Sequence, residues 1–453
     1  MFKRILIANR GEIALRIMRA ARELGCETVC VYSEADRDGP WLELADDSVC
    51  IGPGPSADSY LRFDRIIAAA ETTEADAIHP GYGFLAENAQ FNEVCRDCKI
   101  RFIGPSPEAM AQLGDKIACK ALARSTGTPV FPGSDGAIEE ADDAAAVAKE
   151  IGYPVIVKAA AGGGGRGMRI AHDEAELRAG IVSATTEAVA SFGNGAVYVE
   201  KFLERARHIE VQCLGDDHGN AVHLYNRDCT SQRRHQKLVE EGPAPNIDPA
   251  IRDRVCESAA ALIRAAGYSG AATCEFLMDE QQDFYMLEVN TRVQVEHPVT
   301  EFITGVDIVK ESILAAAGEP LSIQQRDVSI NGHAIEFRIN AEDPSKGFMP
   351  QAGTMETFVI PGGFGIRVDT HVRPGYRVPP NYDSMIAKLI VHGRDREEAL
   401  ARARSALAEF QTGPGATTLS LHRRLIETSQ FRNVDMDIHW VERWLESSDW
   451  QSG

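Results

Sequence analysis

A change of rhythm near residue 114 limits the folds open to this chain. Before it, short apolar runs alternate with helical patterns. Arg4-Ile-Leu-Ile-Ala8 reads as a buried strand, Asn9-Arg-Gly as a turn, and the stretch from about Glu12 to Glu23 as an amphipathic helix. Thr28-Val-Cys-Val-Tyr32, Ala77-Ile-His79 and Phe102-Ile103 read as further strands with helices between them. Strands that alternate with helices predict a parallel α/β sheet up to about residue 114. The loop His79-Pro-Gly-Tyr-Gly-Phe84 follows one of these strands, where open α/β sheets place ligands.

Beyond a helix around Lys116 to Arg124, strand pairs take over. Pro154-Val-Ile-Val-Lys-Ala159 and Gly167-Met-Arg-Ile-Ala171 read as strands flanking Gly162-Gly-Gly-Gly-Arg-Gly167. The Ala- and Glu-rich segment up to about Leu203 reads as a small, separate lid. His208–Leu214 turns through Gly215–Gly219 into Ala221–Tyr225, and Ala272–Met278 turns through Asp279–Asp283 into Phe284–Asn290. Strands at Ala334–Ile339, Thr354–Ile360 and Met385–Val391 follow, then helices.

At 453 residues the chain has room for two or three domains with their own cores. Its net charge of −20, with no basic tail or stripe, argues against a nucleic-acid or membrane-surface partner. An anionic substrate would then need a local positive pocket. No apolar run approaches the roughly 18 residues of a membrane span. The start, Met1-Phe-Lys-Arg-Ile-Leu-Ile-Ala-Asn-Arg10, is too short in apolar residues for a signal peptide. The 10 cysteines form no framework, and the C-x-x-C pair Cys95/Cys98 lacks a second half for a zinc site. A reducing cytoplasm is the expectation.

Four segments carry chemistry. The glycine run can approach phosphates through bare backbone N–H groups, with Lys158 just before it. It is not a Walker A loop, since no Lys-[Ser/Thr] follows and a strand rather than a helix comes next. A floppy surface hairpin is the plainer alternative. Glu275 and Glu288 lie on adjacent strands of one predicted hairpin, within reach of a shared hard cation, and Asn290 shares the face of Glu288. They could instead be solvated edge residues, although Glu275 sits between Cys274 and Phe276. Gln232-Arg-Arg-His-Gln-Lys237, followed by Glu240-Glu-Gly-Pro-Ala-Pro245, suggests a fixed loop for phosphate or bicarbonate, or else a solvated face. Finally, Glu288-Val-Asn-Thr-Arg-Val-Gln-Val-Glu-His-Pro-Val-Thr-Glu301 crowds carboxylates, an amide and an arginine onto a strand end. Unpaired buried carboxylates are costly, so these should face a cation, an anion or each other.

In this order, the motifs resemble the ATP-grasp superfamily and, within it, biotin carboxylase. The likeness rests on Ile5-Leu-Ile-Ala-Asn-Arg-Gly-Glu-Ile-Ala14, His79–Phe84, Lys158 with Gly162–Met168, Gln232–Lys237, Glu288–His297 and Arg338-Ile-Asn-Ala-Glu-Asp343. It spans essentially the whole chain to about residue 445. Ala161 departs from the pattern, standing where the family carries another glycine. The resemblance implies a Rossmann-like parallel-sheet domain over 1–114, an ATP-grasp domain over 115–333 with a mobile glycine-rich lid at about 131–203, and a carboxylase C-terminal domain over 334–445.

It also implies roles. Lys116, Lys158, Glu200, Lys201, Leu203, His208, Gln232 and His235 would hold ATP, with Leu277 and Ile438 against adenine and Gly164 and Gly165 closing over the phosphates. Glu275 and Glu288, with Asn290, would carry two Mg²⁺ or Mn²⁺ ions. Lys237, Arg292, Gln294 and the backbone of Val295 would bind bicarbonate, Glu296 would deprotonate it, and Arg338 would stabilise the biotin enolate near Tyr82. Along the Glu288–Glu296 face the period of two predicts a strand that His297-Pro298 ends. His297 and Glu301 are expected to be structural.

Carboxylase chains that carry their own biotin hold the attachment lysine in Ala-Met-Lys-Met, and no Met-Lys pair occurs here. The expectation is therefore biotin on a separate carrier protein, a carboxyltransferase on other subunits, and most often acetyl-CoA carboxylase as the whole, the alternatives being another acyl-CoA or urea-type carboxylase or a different ATP-grasp ligase. Arg16, Arg19, Glu23, Phe364 and Arg367 match family dimer positions, so a homodimer is expected.

Overall fold

The computed structural model describes the chain apart from residues 135, 139, 160–167, 193–194, 448–449 and 451–453. Ile5, Leu6 and Ile7 are wholly buried, and apolar residues cannot be hidden on successive positions of a strand unless both faces are covered. Accordingly, Arg4–Ile7 is the middle strand of a five-stranded sheet, ordered Asp47–Cys50, Glu27–Tyr32, Arg4–Ile7, Ala77–His79, Arg101–Phe102. Every neighbouring pair is parallel. Asp47–Cys50 has no apolar alternation to announce it, being a mostly exposed edge held by pairing with Glu27–Tyr32.

The amphipathic helix runs Gly11–Glu23, and its buried face includes Glu12 and Arg16 as well as Ile13, Ile17 and Met18. The turn before it positions the His79–Phe84 loop. Asn9 Nδ2 donates to the carbonyls of Pro80 and Tyr82, both at 2.7 Å. Gly81 is required there, because its φ is +63° and a Cβ would lie 2.9 Å from the Asn9 amide.

Val155–Ala159, Arg169–Ala171 and Val197–Lys201 form a small antiparallel sheet with Val155–Ala159 in the middle. The helices Ala141–Ile151 and Glu174–Phe192 cover it, burying Ala144, Ala148 and Leu177 against Val155, Val157 and Val199. Ala161, Gly164 and Gly165 lie outside the described residues.

The largest element is an eight-stranded antiparallel sheet. Its order is Phe284–Asn290, Gly270–Met278, Arg207–Gly215, Ala221–Arg233, Gln236–Gly242, His333–Asn340, Met385–Gly393, Ile366–Thr370. It continues unbroken across residue 333, because Glu240 pairs with Glu336 in register.

Three expectations need correction. The Gln232–Lys237 segment is not a loop. It is the end of strand Ala221–Arg233, a two-residue turn and the start of strand Gln236–Gly242. Arg234 and His235 hold φ of 48° and 62°, a hairpin geometry usually announced by Asn-Gly, so no turn signal was visible. The strand carrying Glu288 stops at Asn290, and His297–Thr304 is a helix with Pro298 in its first turn. Proline lacks only an N–H that a helix start leaves unpaired anyway, so it opens this helix instead of closing a strand. The Thr354–Ile360 run is two strands, Gly353–Met355 on Tyr376–Val378 and Thr357–Val359 on Gln411–Gly413.

Candidate active site

The N-terminal loops, the small sheet and one face of the eight-stranded sheet enclose a cavity of ≈ 1280 Å³. Tyr82, Lys116, Lys158, Glu200, Lys201, Leu203, His208, Gln232, His235 and Lys237 border it. So do Glu275, Leu277, Glu288, Asn290, Arg292, Gln294, Val295, Glu296, Arg338 and Ile438. Every site residue expected from the sequence and lying among the described residues therefore meets at this one cavity.

Sheet register builds its charged wall. Glu288 pairs with Glu275, Glu275 with Glu210, and Glu210 with Arg227, giving one row across four strands. Directly opposed residues on adjacent strands share a face about 5 Å apart, so this row must balance its own charge. Arg227, wholly buried, does so from its own end, reaching Glu210 at 3.1 Å and the side-chain amide oxygen of Gln294 at 2.7 Å. Lys237 also balances it, bonding Glu210, Glu275 at 3.0 Å and Glu296 at 2.8 Å. Its ammonium is held well above its ordinary pKa, since Glu210, Glu275 and Glu296 outweigh the cost of burial.

Glu275 is surrounded by donors. One oxygen accepts from Asn290 and Gln294, both at 2.8 Å, and from Lys237, and the other faces His208 Nε2 at 3.0 Å. Burial works against its ionisation, but Lys237 and His208 hold its pKa well below the usual range. In return, Glu275 and Glu210 lift His208 to about 9 despite burial, so the imidazole is cationic at neutral pH. Glu288 is the contrasting member. It stands exposed at the cavity wall, and desolvation followed by repulsion from Glu275 raises its pKa. A carboxylate at the cavity wall with a second carboxylate beside it fits a divalent cation, and hard cations of the Mg²⁺ type favour such oxygens. Asn290 fits less directly, since its carbonyl oxygen already accepts from Arg292 at 2.8 Å.

Glu296 occupies the N-cap position of helix His297–Thr304 and is 1% exposed. Lys237 holds one oxygen at 2.8 Å and Arg338 the other at 2.9 Å. Burial opposes its charge, but Lys237, then Arg338, keep its pKa below the ordinary value. A buried carboxylate is thus kept ionised beside two cations and a helix N-terminus. Behind Arg338, Glu240 accepts its Nε at 2.5 Å and is raised to about 7 by burial. Glu336, opposite Glu240, is raised well above the carboxylate range by burial.

At the other end, Lys158 meets Glu200 at 2.7 Å and Lys120 meets the second oxygen of Glu200. Burial opposes Glu200 ionisation, and Lys158 and Lys120 restore it, so two ammonium groups border the cavity around one carboxylate. The Lys201 ammonium is taken up by the carbonyls of Gly152 and Tyr153 at 3.1 and 3.0 Å. Leu277 and Ile438 line the apolar part with Met286 and Phe131.

Sequence reasoning missed Lys120, Glu210, Arg227, Glu240, Glu336 and Lys388, and Glu87, which binds Arg292 Nε at 2.8 Å. For Glu336 and Lys388 a signal was present, a lone charge within an apolar strand as in Cys274-Glu-Phe276. Arg16, Glu301 and Arg367 lie elsewhere, joined as Arg16–Glu301 and Arg367–Glu301 ion pairs of 2.7 Å each. Phe364 is 86% exposed. Among the described residues no helix is long and apolar enough to cross a membrane.

With this geometry in view, comparisons with known proteins agree along the whole chain. Residues 1–110 match the model of the biotin carboxylase N-terminal domain, 115–324 that of the carbamoyl-phosphate synthase L chain ATP-binding domain, and 336–443 that of the biotin carboxylase C-terminal domain. The chain is 54% identical to a biotin carboxylase of Pseudomonas aeruginosa over 446 residues, 98% of this chain and 99% of that one. A crystal structure of a Campylobacter jejuni biotin carboxylase β-γ-ATP complex superimposes with a TM-score of 0.93 at 49% identity, covering 98% and 99% of the two chains. Another structure is of the biotin carboxylase domain dimer of Hydrogenobacter thermophilus 2-oxoglutarate carboxylase, with MgADP, ADP and bicarbonate. It gives a TM-score of 0.91 at 47% identity over 98% of each chain.

Proposed function

The chain belongs to the biotin carboxylase family of ATP-dependent ligases, and we propose that it carboxylates biotin carried on a separate carrier protein, using ATP and bicarbonate. The observation that carries this reading is Glu296. It is ionised, buried, clamped by Lys237 and Arg338, and placed in the same cavity as the Glu275/Glu288 pair and the lysines at Glu200.

In this reading adenine lies against Leu277 and Ile438, and Lys116 and Lys158 meet the phosphates with Glu200, Lys201, Leu203, His208, Gln232 and His235 around the nucleotide. Bicarbonate takes Lys237, Arg292, Gln294 and the Val295 backbone. As the anion shares the charge of Lys237, Glu296 becomes the stronger base and takes the bicarbonate proton. The freed oxygen attacks the γ-phosphorus, ADP leaves, and carboxyphosphate forms. Glu275 and Glu288, with Asn290, would hold Mg²⁺ or Mn²⁺, two ions in all, which when bound neutralise charge on the transferring phosphoryl group. Carboxyphosphate then splits to CO₂ and phosphate, phosphate removes the N1′ proton of biotin, and Arg338 beside Tyr82 stabilises the enolate that attacks CO₂.

The carrier and the carboxyltransferase are separate subunits in this proposal, the enzyme works in the cytoplasm, and acetyl-CoA is the final acceptor. Homodimer formation is supported by the dimer of the 2-oxoglutarate carboxylase relative, and in this proposal Arg16, Arg19, Glu23, Phe364 and Arg367 would lie at the contact. That same relative supports a second reading in which the acceptor is a 2-oxo acid. Steady-state ATP cleavage tests the first half-reaction. It should require bicarbonate and rise with free biotin, and stimulation by ammonia or an amino acid in place of biotin would refute it. Identifying the transferase that co-purifies with the biotinylated partner separates the two acceptors.

A further inference from the structure

Lys388 is wholly buried in strand Met385–Gly393, where a lysine needs a strong reason to stay charged. Its register partners are Arg338 on one side and Asp369 on the other. The ammonium donates to the Val295 carbonyl at 2.9 Å and pairs with Glu12 at 3.1 Å, with Asp369 at 3.9 Å. Burial works to discharge it, and Glu12, Glu336 and Asp369 together keep it protonated. Glu12 in turn accepts the Tyr82 hydroxyl hydrogen bond. One cation thereby joins the helix Gly11–Glu23, the Tyr82 loop and the segment that leads into Glu296.

The Val295 carbonyl belongs to the peptide unit that joins Val295 to Glu296. Pinning it fixes the direction in which the Glu296 side chain leaves the backbone. Gln294, one residue earlier, is fixed independently, since its carbonyl meets His297 Nδ1 at 2.6 Å and its amide oxygen accepts from Arg227. The stretch 294–296 is therefore braced at successive residues, and Lys388 holds the backbone carbonyl next to Glu296. We infer that Lys388 is a positioning residue for bicarbonate activation, acting through the Val295 carbonyl and touching no substrate itself. This inference rests on the bicarbonate reading above.

The experiment separates that role from simple pairing with Glu12. Lys388→Met, Glu12→Gln and the double variant are assayed as full-length proteins for ATP cleavage against ATP and bicarbonate, with thermal midpoints measured in parallel. Losing one charge-assisted hydrogen bond should raise the bicarbonate KM of Lys388→Met about tenfold while the ATP KM stays within about twofold. Removing both buried charges together should restore the thermal midpoint but leave the bicarbonate KM raised. If Lys388→Met does not fold, the double variant decides alone. A double variant with normal bicarbonate KM, or ATP and bicarbonate KM rising together, overturns the inference. ATP cleavage by the unaltered protein that ignores bicarbonate would instead overturn the proposed function.

Discussion

The two large sheets of this molecule bury their residues for opposite purposes. In the parallel sheet, Leu6, Val29 and Ile78 are wholly buried among other apolar side chains. In the eight-stranded sheet, Glu210, Arg227, Glu275, Glu240, Glu336 and Lys388 are equally hidden, on strands of similar apolar content. Apolar burial stabilises at about 25 cal/mol per Å², whereas each buried charge costs free energy until a partner offsets it. The difference teaches that one sheet is an apolar scaffold and the other carries a network of buried charged groups whose states their neighbours set.

Four measurements can break or sharpen that contrast. The largest effect is expected at Glu296→Ala, which should lower bicarbonate-dependent ATP turnover about 10²- to 10⁴-fold per folded molecule while ATP still binds. Retained turnover would remove Glu296 from the role of base. Leu6→Ala should do the reverse. It should destabilise by about 3 kcal/mol in denaturant unfolding with both KM values unchanged, and a selective bicarbonate defect would blur the division.

Third, Glu241, next to Glu240 but on the other face of the strand, tests whether buried charge alone implies reactivity. Burial opposes its ionisation, but Arg396 and His333 hold it at about 2, below its ordinary 4.5. A depressed carboxyl pKa stabilises above about 4.5, and this stability is lost as pH falls from there through about 2. Glu241→Gln should lose on the order of 2 kcal/mol at neutral pH and show a shallower acid transition, with turnover per folded molecule unchanged. A turnover defect would place it in the machinery. The smallest effect belongs to Glu240, whose pKa is raised by burial to about 7. Below that pH it is protonated, Arg338 loses an anionic partner and grips Glu296 more tightly, and the base weakens. Turnover of the unaltered protein should therefore dip as pH falls through about 7, and Glu240→Gln should remove that inflection. An inflection that persists in Glu240→Gln assigns it to another group.

Much of this was legible in the chain. The helix after Arg4–Ile7 was expected from its apolar spacing, and the pairing of Glu275 with Glu288 from two apolar runs joined by a polar turn. The cavity contents followed from the resemblance of the motifs to the family, which implied those residues one by one. What stayed hidden had physical causes. Arg234 and His235 make a tight turn without the residues that ordinarily favour one, because the long strands on either side fix the geometry. Pro298 could have ended a strand or begun a helix, and only the packing of the following turn on the sheet, with Val299 and Ile303 buried against Ala334, chose the second.

By itself, then, the sequence determined which apolar runs would form strands and where the chain changes from parallel to antiparallel pairing. These follow from local spacing, which side-chain periodicity carries directly. Only the tertiary structure decided which charge faces which. Glu288, Glu275, Glu210 and Arg227 become one row, and Arg338, Lys388 and Asp369 another, through strand register. Register is a relation between distant segments, set by the packing of both sheet faces at once. A one-residue slip would turn every one of those charges to the opposite face.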